Sequence, residues 1–280
     1  MPLENASTSR RQWITQAATL ATSSLLAMRA SAQQKLLPLK NSGLDHVSIT
    51  VKDSLAAAKF YGPIFDPQVF HERTGVQRYY VRLGAAYIAL GPQPTATPYI
   101  DHIAAGVIGF DEDKFADTKP ELTAAGLNAP PGVLPMLGDP DNLRLQLVNT
   151  THGLFDTLMP GGRVTTEPAA LIPIGLDHIM ISVTDIEKSV AHYRKLFGQE
   201  ESRENKRVWF KLADTKLGLQ TVAAGQKPSF SSYCVKIAGY DKSVATARLA
   251  KLGIKVEPGI GKNSLRFRDL YDLSVEVVGG

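Results

Sequence analysis

One nine-residue segment occurs twice in this sequence. Residues 43–51 read GLDHVSITV, and residues 175–183 read GLDHIMISV. In each copy the apolar residues alternate with small or polar ones, which predicts a β-strand, and an amphipathic stretch ending in aromatic residues follows. A repeat on this scale indicates a duplicated domain rather than a short solenoid unit.

Each copy contains a second cycle of strand, helix and strands. In the first copy this cycle opens with Asp101-His102 and continues with a predicted helix over 113–125. Pro120 lies inside that range and indicates that the helix begins or breaks at this residue. The second copy repeats the order, with a strand from Ser232 and a helix from Lys242. The sequence therefore predicts an α+β protein of four βαβββ modules. The predicted boundaries are 43–150 for the first domain, 151–174 for a connecting segment and 175–280 for the second domain.

Composition and charge exclude several classes of protein. The chain is 44% hydrophobic and 21% charged, which is typical of a globular core and not of disorder. The net charge is only +4, and the Lys and Arg residues are dispersed, so a nucleic-acid partner is not expected. Cys234 is the sole cysteine, which excludes an internal disulfide and a cysteine-based zinc or iron–sulfur site.

The N-terminal residues 1–32 have the order of an export signal. The pair Arg10-Arg11 precedes an apolar stretch over 17–28, and Ala30-Ser31-Ala32 has the form of a cleavage site. Similarity to twin-arginine signals implies a bacterial protein that is exported folded to the periplasm or the medium. We expect the mature chain to start near Gln33, with a linker over 33–42 and no segment that inserts into a membrane.

Strand alternation separates the side chains of the repeat into two faces. Val47 and Ile49 point toward a helix-covered side, whereas His46 points to the opposite, polar side. The same count places these further side chains on the polar side: Tyr80, Arg82, His102, Arg144 and Gln146 in the first half, and His178 and Glu276 in the second. Tyr80, Arg82 and Arg144 would suit an anionic or oxygen-rich small molecule. An equally acceptable interpretation is that the two arginines are solvated residues at the rim of the cleft and bind no ligand.

The combined pattern resembles the vicinal oxygen chelate superfamily, which includes glyoxalase I, type I extradiol dioxygenases, and fosfomycin- and bleomycin-resistance proteins. The resemblance covers about residues 43–279. It is carried by the Asp-His openings, by Phe60-Tyr61 and His192-Tyr193 at the helix ends, and by the closing segments 139–147 and 267–277. It implies that the modules pair into two tandem domains with open, cleft-forming mixed sheets.

The resemblance also implies a ligand set for a metal ion in each cleft. Oxygenases of this superfamily use two strand histidines and a glutamate, a set that suits Fe(II) or Mn(II) and leaves positions open for substrate. Neither half has the complete set. The first half offers His46, His102 and Gln146, and the second offers His178, Ser232 and Glu276. A further ligand position of the superfamily falls on Ala89 and Gly218, so a four-ligand site of the glyoxalase type is not expected. Lys236 lies two residues beyond Ser232 on the same face, where its ammonium group could pair with Glu276 and would repel a metal ion.

Two functions are compatible with these residues. The first is a metal-dependent enzyme with oxygenase-like or lyase/isomerase-like activity on a small oxygenated substrate, using Fe, Mn, Ni or Zn held mainly by His46 and His102. The alternative is a non-catalytic small-molecule-binding protein whose metal sites are degenerate and hold no metal. Four modules in one chain can pair internally, so the sequence is compatible with a monomer or a homodimer.

Overall fold

Two eight-stranded mixed sheets form the framework of the protein. The computed structural model describes residues 35–132, 134–149 and 153–280. The predicted signal segment 1–32 therefore lies outside the described residues. Among the residues that are described, no helix is both long and apolar enough to cross a membrane.

The first sheet has the strand order β6-β7-β5-β1-β4-β3-β2-β8. β1 lies at its centre, parallel to β4 and antiparallel to β5, and β5 is parallel to β7. The strands are β1 (Asn41–Val51), β2 (Gln68–His71), β3 (Tyr79–Leu83), β4 (Ala86–Pro92), β5 (Tyr99–Val107), β6 (Met136–Gly138), β7 (Arg144–Asn149) and β8 (Met159–Arg163).

The second sheet repeats this arrangement, in the order β10-β11-β12-β9-β13-β16-β15-β14. β9 takes the place of β1, parallel to β12 and antiparallel to β13. The strands are β9 (Pro173–Val183), β10 (Ser202–Glu204), β11 (Arg207–Leu212), β12 (Thr215–Thr221), β13 (Ser229–Ile237), β14 (Val256–Pro258), β15 (Leu265–Arg268) and β16 (Ser274–Gly279). The predicted α+β architecture of two repeated domains with mixed sheets is confirmed.

Three of the helices begin at aspartates that follow a strand. Asp53 accepts a hydrogen bond from the Ala56 backbone, and Asp185 and Asp241 act in the same way at two later helices, so each stabilises exposed N–H groups of a first turn. The helices are α1 (Ser54–Tyr61), α2 (Phe115–Ala124), α3 (Leu154–Thr157), α4 (Ile186–Phe197) and α5 (Lys242–Lys251).

Two local features differ from the sequence-based expectation. Pro120 neither starts nor breaks α2, which runs through it after a short 3₁₀ turn at Glu112–Lys114. The segment 151–174 is more than a connection, because it contains α3 and β8 and β8 pairs with β2 at the edge of the first sheet. The described part of this segment therefore completes the wall of the first domain.

The two domains belong to one compact unit, Leu37–Gly280. Tyr61, at the end of α1, donates a buried hydrogen bond of 2.5 Å to Asp269 in the second domain. Tyr193, at the matching place in α4, donates one of 3.3 Å to Asp139 in the first domain. Each domain thus anchors a helix to a turn of the other domain.

Candidate metal centre in the first-domain cleft

The three Asp-His pairs of the sequence lie at β-bulges. The strand ladder skips Asp45 in β1 and Asp101 in β5, and in the second domain it skips Asp177 in β9. A bulge interrupts strict alternation, so two consecutive side chains can lie on the same side of a strand. Each aspartate is thereby placed beside the ring of the histidine that follows it.

Two of these pairs meet in the first domain. The Nδ1 atom of His46 lies 2.7 Å from Asp45, and that of His102 lies 2.7 Å from Asp101. The opposite edges of the two rings face each other, with 3.3 Å between their Nε2 atoms. Carboxylates therefore fix both rings from behind while both Nε2 atoms converge on one point.

The protonation of these rings follows from their partners. A neutral imidazole has one N–H, and a carboxylate at Nδ1 requires that N–H there, so the Nε2 of each ring presents a lone pair. Two lone pairs that face each other need a cation between them, which is either a metal ion or the extra proton of an imidazolium. A carboxylate behind a histidine is also the usual arrangement behind metal-binding imidazoles. The pair His46 and His102 therefore fits a divalent metal.

Arg144 supports this arrangement from the rim of the cleft. Its guanidinium forms an ion pair with Asp101, whose other oxygen holds the His102 ring. Burial by itself would raise the pKa of Asp101, but the hydrogen bond from His102 and the charges of His102 and Arg144 bring it below its usual value. Arg144 lines the cleft, and its contact there is with Asp101.

Small side chains leave room around the histidine pair. Ser48, Ala89 and Ala104 surround it, and the cavity in front has a volume of about 710 Å³. On one side the ring of His46 stacks on Tyr87, with 4.5 Å between the ring centroids and 17° between the planes. The cleft can therefore accept a small molecule directly beside the two Nε2 atoms.

Gln146, the residue in the position of the missing carboxylate, lines the same cavity. It pairs with Ala104 in the ladder, and Ala104 pairs in turn with His46, so only a small residue separates Gln146 from His46 across the sheet. Within the part of the chain that the structure describes, no third imidazole, carboxylate or thiol joins the pair to form a three-ligand group.

The remaining predicted cleft residues of the first half take different roles. Tyr80 lines the cavity and donates to Glu72 at 2.7 Å; burial, aided by that bond, raises the pKa of Tyr80 to about 12. Arg82 lies between two aromatic rings, 4.5 Å from the centroid of Phe70 and 4.3 Å from that of Phe155. The structure therefore shows a packing role for Arg82, against residues that include α3.

The second domain holds its histidine in the same way but without a partner ring. The Nδ1 atom of His178 lies 2.7 Å from Asp177, whereas its Nε2 is buried with no hydrogen-bond partner among the described residues. Glu276 is 1% exposed, and its carboxylate accepts from the Ile260 backbone at 2.7 Å and from Ser232 at 3.4 Å. The carboxylate is thus already bound to the protein.

Lys236 does not pair with Glu276, contrary to the sequence-based expectation. Its ammonium group contacts Asp214 at 3.0 Å and the carbonyl oxygen of the same residue at 2.6 Å. The β-turn that contains Asp214 reaches over the end of β13, and strand alternation alone gives no information about such a turn.

Large side chains fill the second cleft where the first is open. Met180 takes the place of Ser48, and Trp209 packs against His178 with 5.3 Å between the ring centroids. A Cβ atom on Gly218 would lie 2.5 Å from Met180 and 2.7 Å from Trp209. The residues of the second cleft therefore fit a metal much less well than those of the first.

A further group of possible ligand atoms lies behind His178. Atoms of Asp177, His178 and Cys234 lie within 4.8 Å of one another. Asp177 already accepts from His178, and burial raises the pKa of the Cys234 thiol well above its usual value. Because a thiol binds metals as the thiolate, this group is a poor ligand set.

Sequence comparison and structure comparison give different results for this chain. No model of a protein family matches the sequence, and no curated protein matches it. Solved structures with a similar fold include the 2,3-dioxygenase LapB from Pseudomonas sp. KL28, with a TM-score of 0.61 at 13% identity over 87% of this chain and 93% of LapB.

Two further structures share the fold. The Mn(II)-bound glyoxalase from Novosphingobium aromaticivorans has a TM-score of 0.62 at 14% identity, over 86% of this chain and 82% of that one. A catechol 2,3-dioxygenase has a TM-score of 0.61 at 18% identity, over 86% and 89%. At these identities the similarity shows that the chain has the vicinal oxygen chelate fold, in agreement with the resemblance noted in its sequence.

Proposed function

We propose that this protein is a metal-dependent enzyme of the vicinal oxygen chelate type, which acts on a small oxygenated substrate in the first-domain cleft. The observation that carries the proposal is the pair of Nε2 atoms 3.3 Å apart, each on a ring held by an aspartate. The structures that share the fold, two dioxygenases and a Mn(II)-bound glyoxalase, support metal chemistry as the class.

The residues of the cleft have distinct proposed roles in binding a metal. His46 and His102 would hold the ion, with the amide oxygen of Gln146 as the third protein ligand. When bound, a divalent metal supplies positive charge that polarises adjacent oxygens of a substrate. Asp45 and Asp101 keep each ring in the tautomer that presents the Nε2 lone pair.

Other residues set the environment of the substrate. Tyr80, Tyr87 and Phe70 belong to a buried apolar cluster, against which Leu154 and Phe155 pack. This cluster excludes water from one wall of the cleft and offers flat surfaces to a planar molecule. Arg144 lines the same cavity and provides a positive charge beside Asp101, the partner of His102.

The test is the metal content of the mature chain purified from cells without chelators. We expect near-stoichiometric iron, manganese, nickel or zinc, and we expect both His46→Ala and His102→Ala to lose it. His178→Ala is the matched control, because it removes the same motif from the second domain and should keep the metal. Oxygen consumption with catechol is the first activity to assay. Metal-free wild-type protein, or metal that survives both first-domain changes, would refute the proposal.

Non-catalytic binding of a small molecule is a second candidate, and Gln146 favours it. A neutral amide in place of a carboxylate removes one negative charge from the ligand set, which weakens the hold on a hard divalent ion. A folded, metal-free protein that binds small aromatic molecules in the first cleft would support this candidate.

We also propose that the chain is exported through the twin-arginine route. The order of paired arginines, apolar stretch and small-residue cleavage site in residues 1–32 supports it. N-terminal sequencing of the protein from the periplasm of a bacterial host should give a start near Gln33, and Arg10→Lys with Arg11→Lys should keep the protein in the cytoplasm. An intact N-terminus on soluble cytoplasmic wild-type protein would contradict export.

A further inference from the structure

The second-domain cleft contains a second, smaller cavity with a different chemistry. It has a volume of about 210 Å³. Arginine, serine and amide side chains dominate its lining: Arg207, Gln220, Ser231, Ser232, Arg266, Arg268 and Ser274, together with Glu276. We propose that this cavity binds a small oxyanion, a carboxylate or phosphate group, through Arg207, Arg266 and Arg268.

The charges of the lining residues favour an anion. Three guanidinium groups face one carboxylate, that of Glu276, whose oxygens accept from Ile260 and Ser232. Arg266 and Arg268 do have acidic neighbours, Glu257 and Asp272, but the side chains of those residues are 61% and 87% exposed. Water screens exposed partners strongly, so the positive potential inside the cavity is retained.

The arginines also retain unused hydrogen-bond capacity. The Nε atom of Arg266 is buried and has no hydrogen-bond partner among the described residues. Arg207 donates from Nε to Gln220 at 3.3 Å, and Arg268 donates from one Nη to the carbonyl oxygen of Asp272 at 2.9 Å. Each guanidinium has five N–H donors, so donors remain for the oxygens of a ligand, which planar guanidinium groups bind well.

Two of these cations, Arg266 and Arg268, have no counterpart in the first domain, whereas Arg78 stands at the position of Arg207. Arg266 and Arg268 pair in the ladder with Glu276 and Ser274 of the closing strand β16. At the same register positions of the first domain, Met136 and Gly138 pair with Gln146 and Arg144 of β7. Arg266 and Arg268 thus belong to the domain in which Met180 and Trp209 fill the metal position.

The cavity borders the space between the domains, and the half-exposed Arg268 belongs to the lining of both. Ser231, Arg268 and Ser274 also line an interdomain cavity of about 840 Å³. Arg144 and Asp101 line that larger cavity from the first domain. We expect a small anion to enter from this side, and the small inner volume to select against bulky polyanions.

The experiment is titration calorimetry of the mature protein with inorganic phosphate and, separately, with succinate, at constant chloride concentration. We expect saturable binding of one equivalent of at least one of them, weakened about tenfold or more in Arg266→Gln and in Arg268→Gln. Arg248→Gln, which removes an exposed arginine of α5, is the charge-matched control and should bind within about twofold of wild type. The stronger ligand of the two tells whether the group recognised is a phosphate or a carboxylate.

Two results would overturn the proposal. One is the absence of saturable binding of either anion up to about 10 mM. The other is equal binding by Arg268→Gln and Arg248→Gln, which would indicate non-specific attraction; Arg268 is half-exposed, so its replacement leaves the fold intact even if Arg266→Gln does not fold. The inference is independent of the metal site, because the double variant His46→Ala, His102→Ala should still bind the anion.

Discussion

The Nε2 atoms of His46 and His102 face each other at 3.3 Å, and the aspartate before each histidine holds its ring from the other side. This contact between the two histidines joins β1 of one module to β5 of the next. It depends on a bulge in each strand, which turns an otherwise opposite-facing aspartate toward its own histidine.

Replacing one of these aspartates should weaken the metal site without removing a ligand. Asp101→Asn takes away the charge that fixes the His102 tautomer, and we expect metal affinity to fall about 10–100-fold. Asp177→Asn makes the same change behind His178 and should leave affinity unaltered. Competition with a fluorescent chelator measures both, and equal effects of the two changes would contradict the assignment to the first domain.

Restoring the carboxylate at Gln146 should have the opposite effect. Gln146→Glu adds a negative oxygen ligand, so we expect affinity for Mn(II) or Fe(II) to rise about tenfold or more. Gln199→Glu, at an exposed position two residues after the end of α4, adds the same charge away from the cleft and serves as the control. If Gln146→Glu left metal affinity at the wild-type level, Gln146 would lie too far from the ion to be a ligand.

The two interdomain tyrosines should contribute unequally to stability. Tyr61→Phe leaves an oxygen of the buried Asp269 without its donor, so we expect a loss of about 1–3 kcal/mol in the free energy of unfolding. Tyr193→Phe breaks a longer bond, of 3.3 Å, and should cost about 0.5–1.5 kcal/mol. Urea denaturation of both variants tests the order, and a larger loss in Tyr193→Phe would reverse it.

His192 should make the protein less stable in mild acid. Burial, with a smaller contribution from Lys195, lowers the pKa of His192 to about 4. An unfolded histidine takes up its proton near pH 6.5, so between pH 6.5 and 4 the unfolded state binds more protons and stability falls as the pH falls, by up to roughly 3 kcal/mol from this residue.

The measurement is urea denaturation of wild type and His192→Phe at pH 7 and pH 4.5. We expect the variant to lose less stability on acidification than wild type. An identical pH dependence in wild type and His192→Phe would show that His192 is already protonated or exposed in the folded protein.

The repeat and its histidines could be read directly from the sequence. Alternating hydrophobicity in β1 and β9 placed His46 and His178 opposite the buried valines and isoleucines, and the same count brought His102 into the cleft of His46. These inferences depend only on the two-residue period of a strand, which holds over short stretches.

The residues that contact the histidines from behind could not be predicted from the sequence in the same way. Strict alternation puts Asp45 and His46 on opposite faces, so their contact depends on a bulge that hydrophobic pattern does not encode. Arg82 illustrates the same limit, because its partner Phe155 comes from α3, in a segment expected only to connect the domains. The adjacent Asp-His dipeptide, present three times, is the one sequence signal that could have indicated the bulges.

The crossed tyrosine–aspartate contacts between the domains have the form of an isologous interface, in which each side offers the same surface to the other. One domain on its own would have a buried tyrosine and a buried aspartate, each without the hydrogen-bond partner that the other domain provides. Such a domain would satisfy both groups by self-association about a twofold axis. The fused chain fixes that partnership covalently, which frees its two clefts to diverge.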